Sequence, residues 1–182
     1  MRELSLHALD IVQNSIAAGA TRIVVGLEAD KERDTLTMRI RDDGRGMDPE
    51  FAASISDPFV TTRTTRKVGL GIPMLRAAAR MCNGDVTVDS KPGAGTVVQA
   101  MFELGHVDRQ PVGDILSTMI TLIAANPEIS FRYEHQLNGS QFVLDTDEVK
   151  AELQDVPIND PGVVSWLREF MAQGISLAGQ VS

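Results

Sequence analysis

Thr35-Leu36-Thr37-Met38-Arg39-Ile40-Arg41 runs directly into Asp42-Asp43-Gly44-Arg45-Gly46-Met47. Leu36, Met38 and Ile40 alternate with polar residues, the period of a strand with one buried face. The six residues that follow put a carboxylate at the strand end and two glycines just beyond it. Gly44 and Gly46 permit positive φ and close approach of backbone to a ligand. A carboxylate in that place can accept a hydrogen bond from an exocyclic amine such as adenine N6. In isolation the same residues also fit an ordinary Asp-Gly turn.

Upstream, residues 2–18 carry apolar positions at Leu6, Leu9, Ile16 and Ala17, a helical stripe with Gly19 as its stop. Positions i and i+4 share a helix face, so Asp10 and Asn14 point the same way and His7 joins them. A carboxylate can orient or deprotonate water, and an asparagine carbonyl suits a hard cation such as magnesium. A polar, solvated helix stripe has the same pattern. Residues 21–29 are expected to form a strand paired with 35–41 across the polar stretch 30–34.

Downstream, Gly69-Leu70-Gly71-Ile72 opens a helix expected over 71–82. Free amides and the positive end of a helix dipole make that position a phosphate seat. No Gly-x-x-x-x-Gly-Lys-Ser/Thr is present, which excludes a P-loop. Between the two glycine turns, 44–68 is long and without period, as functional loops are. It holds the basic and hydroxyl-rich run Thr61-Thr62-Arg63-Thr64-Thr65-Arg66-Lys67, next to the phosphate seat. Strands are expected over 85–90 and 95–103. Beyond His106 a helix (111–125), a hairpin turning at Asn138-Gly139, and helices over 146–154 and 161–173 follow. Residues 1–105 are read as the functional domain and 106–182 as a helix-hairpin-helix lobe packed on it.

Bulk properties narrow the alternatives. A net charge of −8 argues against a nucleic-acid footprint, while leaving room for a locally bound anion. The single cysteine, Cys82, excludes an internal disulfide and a multi-cysteine zinc site. The apolar stretch 115–125 is interrupted by Ser117, Thr118 and Thr121 and is too short to span a bilayer. No secretory leader pattern opens the chain, so a soluble, cytoplasmic protein with no membrane role is expected.

In this order, Asp10 and Asn14, Asp42-Asp43-Gly44-Arg45-Gly46-Met47, Asp57-Pro58-Phe59, Gly69-Leu70-Gly71-Ile72 and Gly95-Thr96 resemble the GHKL ATPases. That superfamily joins the gyrase, Hsp90, histidine-kinase and MutL ATP-binding domains. Gln13-Asn14-Ser15-Ile16-Ala17-Ala18-Gly19-Ala20 is similar to MutL-type members, and Phe59-Val60-Thr61-Thr62 to histidine kinases. The resemblance covers about residues 2–103. Over the whole chain, His106-Val107-Asp108-Arg109 and the later hairpin included, it is similar to small stand-alone histidine-kinase-like ATPases associated with clostridial-type hydrogenases.

The resemblance implies an α+β two-layer sandwich with a mixed, mostly antiparallel sheet, binding ATP or ADP with Mg2+. Asn14 would ligate magnesium, Asp42 would read adenine N6, Gly46 would back the base beside Gly44 and Met47, and Thr96 would support the adenine contact. Gly69, Leu70 and Gly71 would hold phosphate, 48–68 would form a lid, and Arg63 and Lys67 would meet phosphoryl charge. Asp10 would be catalytic, but glutamate is usual there. A displacement of about 1 Å can cost on the order of a hundredfold in rate, so binding is implied more firmly than hydrolysis. None of the three histidines, His7, His106 and His135, sits in a phosphoacceptor hairpin, and an autonomous histidine kinase is not expected. Three functions follow. The first is a slow ATPase coupled by lid closure to a protein partner, such as a hydrogenase or other redox enzyme. The others are a kinase acting on a separate protein, as anti-sigma serine kinases do, and a non-hydrolytic ATP/ADP sensor.

Overall fold

The computed structural model describes residues 3–48, 50, 52 and 71–181. The elements in chain order are α1 (Leu4–Ala17), β1 (Arg22–Asp30), β2 (Thr35–Asp42), α2 (Gly71–Met81), β3 (Asp85–Lys91) and β4 (Gly95–Glu103). They are followed by α3 (Ile115–Ala125), β5 (Ser130–Leu137), β6 (Ser140–Asp145), α4 (Thr146–Leu153) and α5 (Pro161–Ala178).

The six strands form one sheet in the order β3-β4-β2-β1-β5-β6. Every junction is antiparallel except β1–β5, which is parallel. The mixed, mostly antiparallel α+β sandwich is thus present. Strand side chains alternate between faces, and the buried rows show which face meets the helices. They are Ile23, Val25, Leu27 and Ala29 on β1, Leu36, Met38 and Ile40 on β2, Val98, Ala100 and Phe102 on β4, and Phe131 and Tyr133 on β5. These rows join Leu4, Ala8, Ile11 and Val12 of α1, Leu75 and Ala79 of α2, Met119 and Ile123 of α3, and Leu167 and Met171 of α5 in one apolar cluster.

The hairpin at Asn138-Gly139 forms as its sequence suggests, with both turn residues at positive φ (48° and 85°), matching the twist of the flanking strands. One helix begins later than expected: α3 starts at Ile115, not at Pro111. Glu3, before α1, offers no side-chain cap. The Leu4 and Ser5 amides donate instead to the Pro111 and Val112 carbonyls at 3.0 and 2.9 Å. Residues 111 and 112 thereby satisfy the open amides of a distant helix, and Asp114 caps α3 by accepting from the Ser117 amide at 2.8 Å. Helix α5 runs past Gln173 to Ala178, where the sequence pattern suggests an end at 173. Among the described residues no helix is long and apolar enough to cross a membrane.

Candidate nucleotide site

Three apolar rows of the inner face end in polar side chains at one place. Asp42 continues Leu36, Met38 and Ile40 on β2; Thr96 continues Phe102, Ala100 and Val98 on β4; Ser90 continues Val86 and Val88 on β3. The register sets Asp42 beside Thr96 and Thr96 beside Ser90. Residues directly opposite across a ladder share a face, so the three project together beneath the end of α1.

Asp42 is 7% exposed and accepts from the Ser15 hydroxyl at 2.6 Å and from the Gly44 amide at 2.9 Å. Each carboxyl oxygen has one partner and lone pairs left for another. Asp43 is committed elsewhere. It accepts from the Thr21 amide and hydroxyl at 2.8 and 2.6 Å and from the Arg22 amide at 2.9 Å. Desolvation pushes its carboxyl up, but these hydrogen bonds together outweigh that and hold it below the ordinary carboxylate value. Of the adjacent acids, Asp42 faces the mouth and Asp43 fastens the strand end.

The loop after Asp42 lies along the turn between β3 and β4. Gly93 donates its amide to the Arg45 carbonyl at 2.7 Å, and Met47 donates its amide to Ser90 Oγ at 2.9 Å. Gly46 sits between them at φ 67°, where a Cβ would come 1.9 Å from the Lys91 carbonyl oxygen. A side chain cannot enter there. Glycine is required for both conformation and space.

On α1, Asp10 is half-buried and Asn14, one turn later, is exposed. The start of α2 rests on Asp10: a Cβ on Gly71 would lie 1.7 Å from Asp10 Oδ2. That oxygen is buried and has no hydrogen-bond partner among the described residues. It therefore combines the positive end of a helix dipole with an open acceptor valence, which a water or a ligand would close. His7, expected beside Asp10, bonds the Gln110 side chain at 3.1 Å instead. Cys82 is buried, and its burial pushes the thiol up, against a nucleophilic role.

The structure thus brings Asp10, Asn14, Asp42, Gly44, Gly46, Met47, Gly71 and Thr96 to one end of the sheet and the helices above it. Arg63, Lys67, Gly69 and Leu70, with residues 49, 51 and 53–68 of the lid expected over 48–68, lie outside the described residues. Two residues enter that the motifs did not single out. Ser15 orients Asp42, and Ser90 joins Met47 to Thr96, the hydroxyls lying 2.8 Å apart. The one signal for Ser90 was its period, a hydroxyl where the row Val86, Val88 calls for another apolar residue.

A cavity of about 300 Å3 lies elsewhere, lined by Val112, Ile115, His135, Ala172, Ile175 and Val181. Its lining mixes polar and apolar groups, Asp114 and Gln180 among them, and both His135 nitrogens are already partnered. Of the three buried polar atoms with no hydrogen-bond partner among the described residues, His7 Nδ1, Asp10 Oδ2 and Arg76 Nε, the Asp10 oxygen is the one at the mouth.

A buried acceptor at a strand end, hydroxyls beside it, a glycine loop behind it and a helix start above make this end of the α+β sandwich the candidate nucleotide site. Residues 1–106 match the family described as Histidine kinase-, DNA gyrase B-, and HSP90-like ATPase, and the chain belongs to it. It is an ATP-binding protein of that kind. Among curated relatives, the heme sensor protein HssS of Staphylococcus saprophyticus is 30% identical over 95 residues, 52% of this chain and 21% of its own length. The sensor histidine kinase RcsC of Escherichia coli is 27% identical over 160 residues, 83% of this chain and 17% of its own. The chain thus spans about a fifth of the length of these relatives. A solved N-terminal domain of a DNA repair protein aligns with 80% of this chain and 53% of its own at a TM-score of 0.57. Its identity is 16%, a likeness of fold alone.

Proposed function

We propose that this chain is a magnesium-dependent ATPase of low turnover whose cycle is coupled to a protein partner. The observation that carries the hydrolytic part is the buried, unpartnered Oδ2 of Asp10 against Gly71 at the start of α2. An acceptor held there can take a hydrogen bond from a water and draw off its proton as the water attacks. Asp42 holds the base end through Ser15 and Gly44, and Gly71 opens the start of α2 to phosphate. Asn14 would hold Mg2+, which would neutralise phosphate charge.

Low turnover follows from the short Asp10 side chain, which fixes its carboxyl against α2. The partner is the less determined part. The resemblance to hydrogenase-associated ATPases makes a redox enzyme the first candidate for pull-down. The kinase names of the curated relatives favour transfer to a protein acceptor as the second reading.

The test follows the labelled γ-phosphate of ATP with magnesium, scoring free phosphate and protein-bound label together. Steady release is expected from the wild type. Asp10→Asn should abolish release while ATP affinity stays within about threefold, since a lone catalytic proton acceptor contributes about 10²–10⁴ in rate and little to ground-state binding. Unchanged turnover in Asp10→Asn would sink the assignment. Label on a co-purified protein instead of in solution would select the kinase reading.

A further inference from the structure

Ser90 is buried at the end of β3, and its hydroxyl meets three groups. It accepts from the Met47 amide at 2.9 Å, lies 3.1 Å from the Gly95 carbonyl oxygen and 2.8 Å from Thr96 Oγ1. A hydroxyl has one proton to give and two lone pairs to share, so two wirings are possible. In the first, Thr96 donates to Ser90 and Ser90 donates to the Gly95 carbonyl, leaving Thr96 only lone pairs for a ligand. In the second, Ser90 donates to Thr96, whose own proton is free to turn to the mouth. The Met47 amide is held in both.

Thr96 stands beside Asp42 in the ladder, and a carboxylate offers only acceptors. With the second wiring the mouth shows an acceptor next to a donor. A 6-aminopurine shows the complement on its edge, an amine that donates next to a ring nitrogen, N1, that accepts. A 6-oxopurine reverses both and would set its carbonyl against Asp42. The second wiring therefore fits adenine. The same serine pins the loop behind the mouth, because Met47 follows Gly46, whose backbone lies against the Lys91 carbonyl.

We propose that Ser90 is a positioning residue for the nucleobase: on binding its hydroxyl donates a hydrogen bond to Thr96 Oγ1, holding Thr96's own proton toward the mouth as a donor, while fixing residues 45–47 behind the base. The inference rests on the ATP-binding reading and acts only through base recognition, so phosphate affinity should not sense it.

The test is equilibrium binding to the full chain of three probes: ATP, 1-deaza-ATP (N1 replaced by C–H) and tripolyphosphate. The wild type is expected to prefer ATP over 1-deaza-ATP about tenfold, the value of one net hydrogen bond. In Ser90→Ala, ATP should bind about tenfold more weakly, the preference over 1-deaza-ATP should fall to about twofold, and tripolyphosphate should bind as before. Ser90→Thr, which keeps the hydroxyl, should restore the preference. Equal losses for ATP and tripolyphosphate, or an undiminished preference in Ser90→Ala, would overturn the proposal and leave ATP binding standing. Absence of ATP binding to the wild type would overturn both. Should Ser90→Ala not fold, Ser90→Cys, whose thiol is a weak donor, is expected to show the same losses at smaller size, and a full preference there would count against the idea.

Discussion

Two buried polar clusters lie on the inner face of one sheet, and they are finished differently. At the Asp42 end, Ser15, Gly44, Ser90 and Thr96 build a network with unused acceptors, and Asp10 Oδ2 has no partner among the described residues. On β5, Tyr133 and His135 form a closed chain. Burial pushes the Tyr133 phenol far above its ordinary range, so it stays protonated and donates to His135 Nδ1 at 3.0 Å. His135 Nε2 donates in turn to the Gly179 carbonyl at 2.8 Å, closing the tail after α5 onto the sheet. A buried polar group costs free energy unless it is paired. The closed chain is complete as it stands and serves the fold. The open network keeps unused acceptors among the described residues, the difference expected between a ligand site and a structural one.

The sharpest way to break this division is to remove one member of each cluster. His135→Ala should orphan the fully buried Tyr133 hydroxyl and leave a cavity, costing about 2–4 kcal/mol of stability, with ATP affinity unchanged. Asp42→Ala should act mainly on the ligand. Its loss leaves Ser15 Oγ the Ile11 carbonyl, 3.3 Å away, but strands the Gly44 amide, so stability should fall by about 1–3 kcal/mol. ATP affinity should fall about a hundredfold, because the amine of the base loses its acceptor. Urea denaturation and calorimetric titration of both variants check the pair. A large affinity loss in His135→Ala would end the division.

Where the sequence could be read, and where it could not, follows the same physics. Local periodicity carried far: the alternation Leu36, Met38, Ile40 ends at Asp42, and Asn138-Gly139 names its own turn. The candidate site was legible as types in order, a carboxylate after a strand and glycines before a helix. Long-range pairing was not legible. Nothing in Pro111 or Val112 announces that their carbonyls cap α1, and β5 shows no local sign that it pairs in parallel with β1. Nor do hydroxyls declare their partners. Ser15 and Ser90 look like ordinary small residues until the strands bring Asp42, Met47 and Thr96 to them.

A smaller effect tests a buried group on α1. His7 lies in the interior, with its Nε2 3.1 Å from the Gln110 side-chain oxygen. Burial lowers the His7 pKa below its ordinary 6.5; the Gln110 hydrogen bond opposes this less strongly, and Asp10 pulls the same way as Gln110. The folded state therefore favours the neutral ring. The unfolded chain binds a proton below about pH 6.5 that the folded chain refuses, so the contribution is complete above that pH and is lost as pH falls toward the lower folded value. Urea midpoints at pH 7.5 and 5.5 should diverge for the wild type and less so for His7→Gln. Equal slopes would remove His7 from the account.

The smallest effect concerns Arg22, whose backbone meets Asp43 and whose side chain meets the end of β6. Its backbone holds Asp43, donating to the carboxyl at 2.9 Å and accepting from the Asp43 amide at 3.3 Å. Its half-exposed side chain reaches Asp145 at 2.8 Å and Asp147 at 2.5 Å, at the join of β6 and α4. Arg22→Ala keeps the backbone contacts and removes only the ion pairs. Asp145 retains Arg132 at 3.3 Å, so no buried charge is stranded. The cost should stay below about 1 kcal/mol and shrink with added salt, and ATP affinity should stay within twofold. A tenfold loss of affinity at unchanged stability would mean that β1 carries the state of the C-terminal strands to the Asp42 mouth through its side chain. The C-terminal segment would then regulate the nucleotide site as well as complete the sheet, because a coupling free energy between two sites acts in both directions.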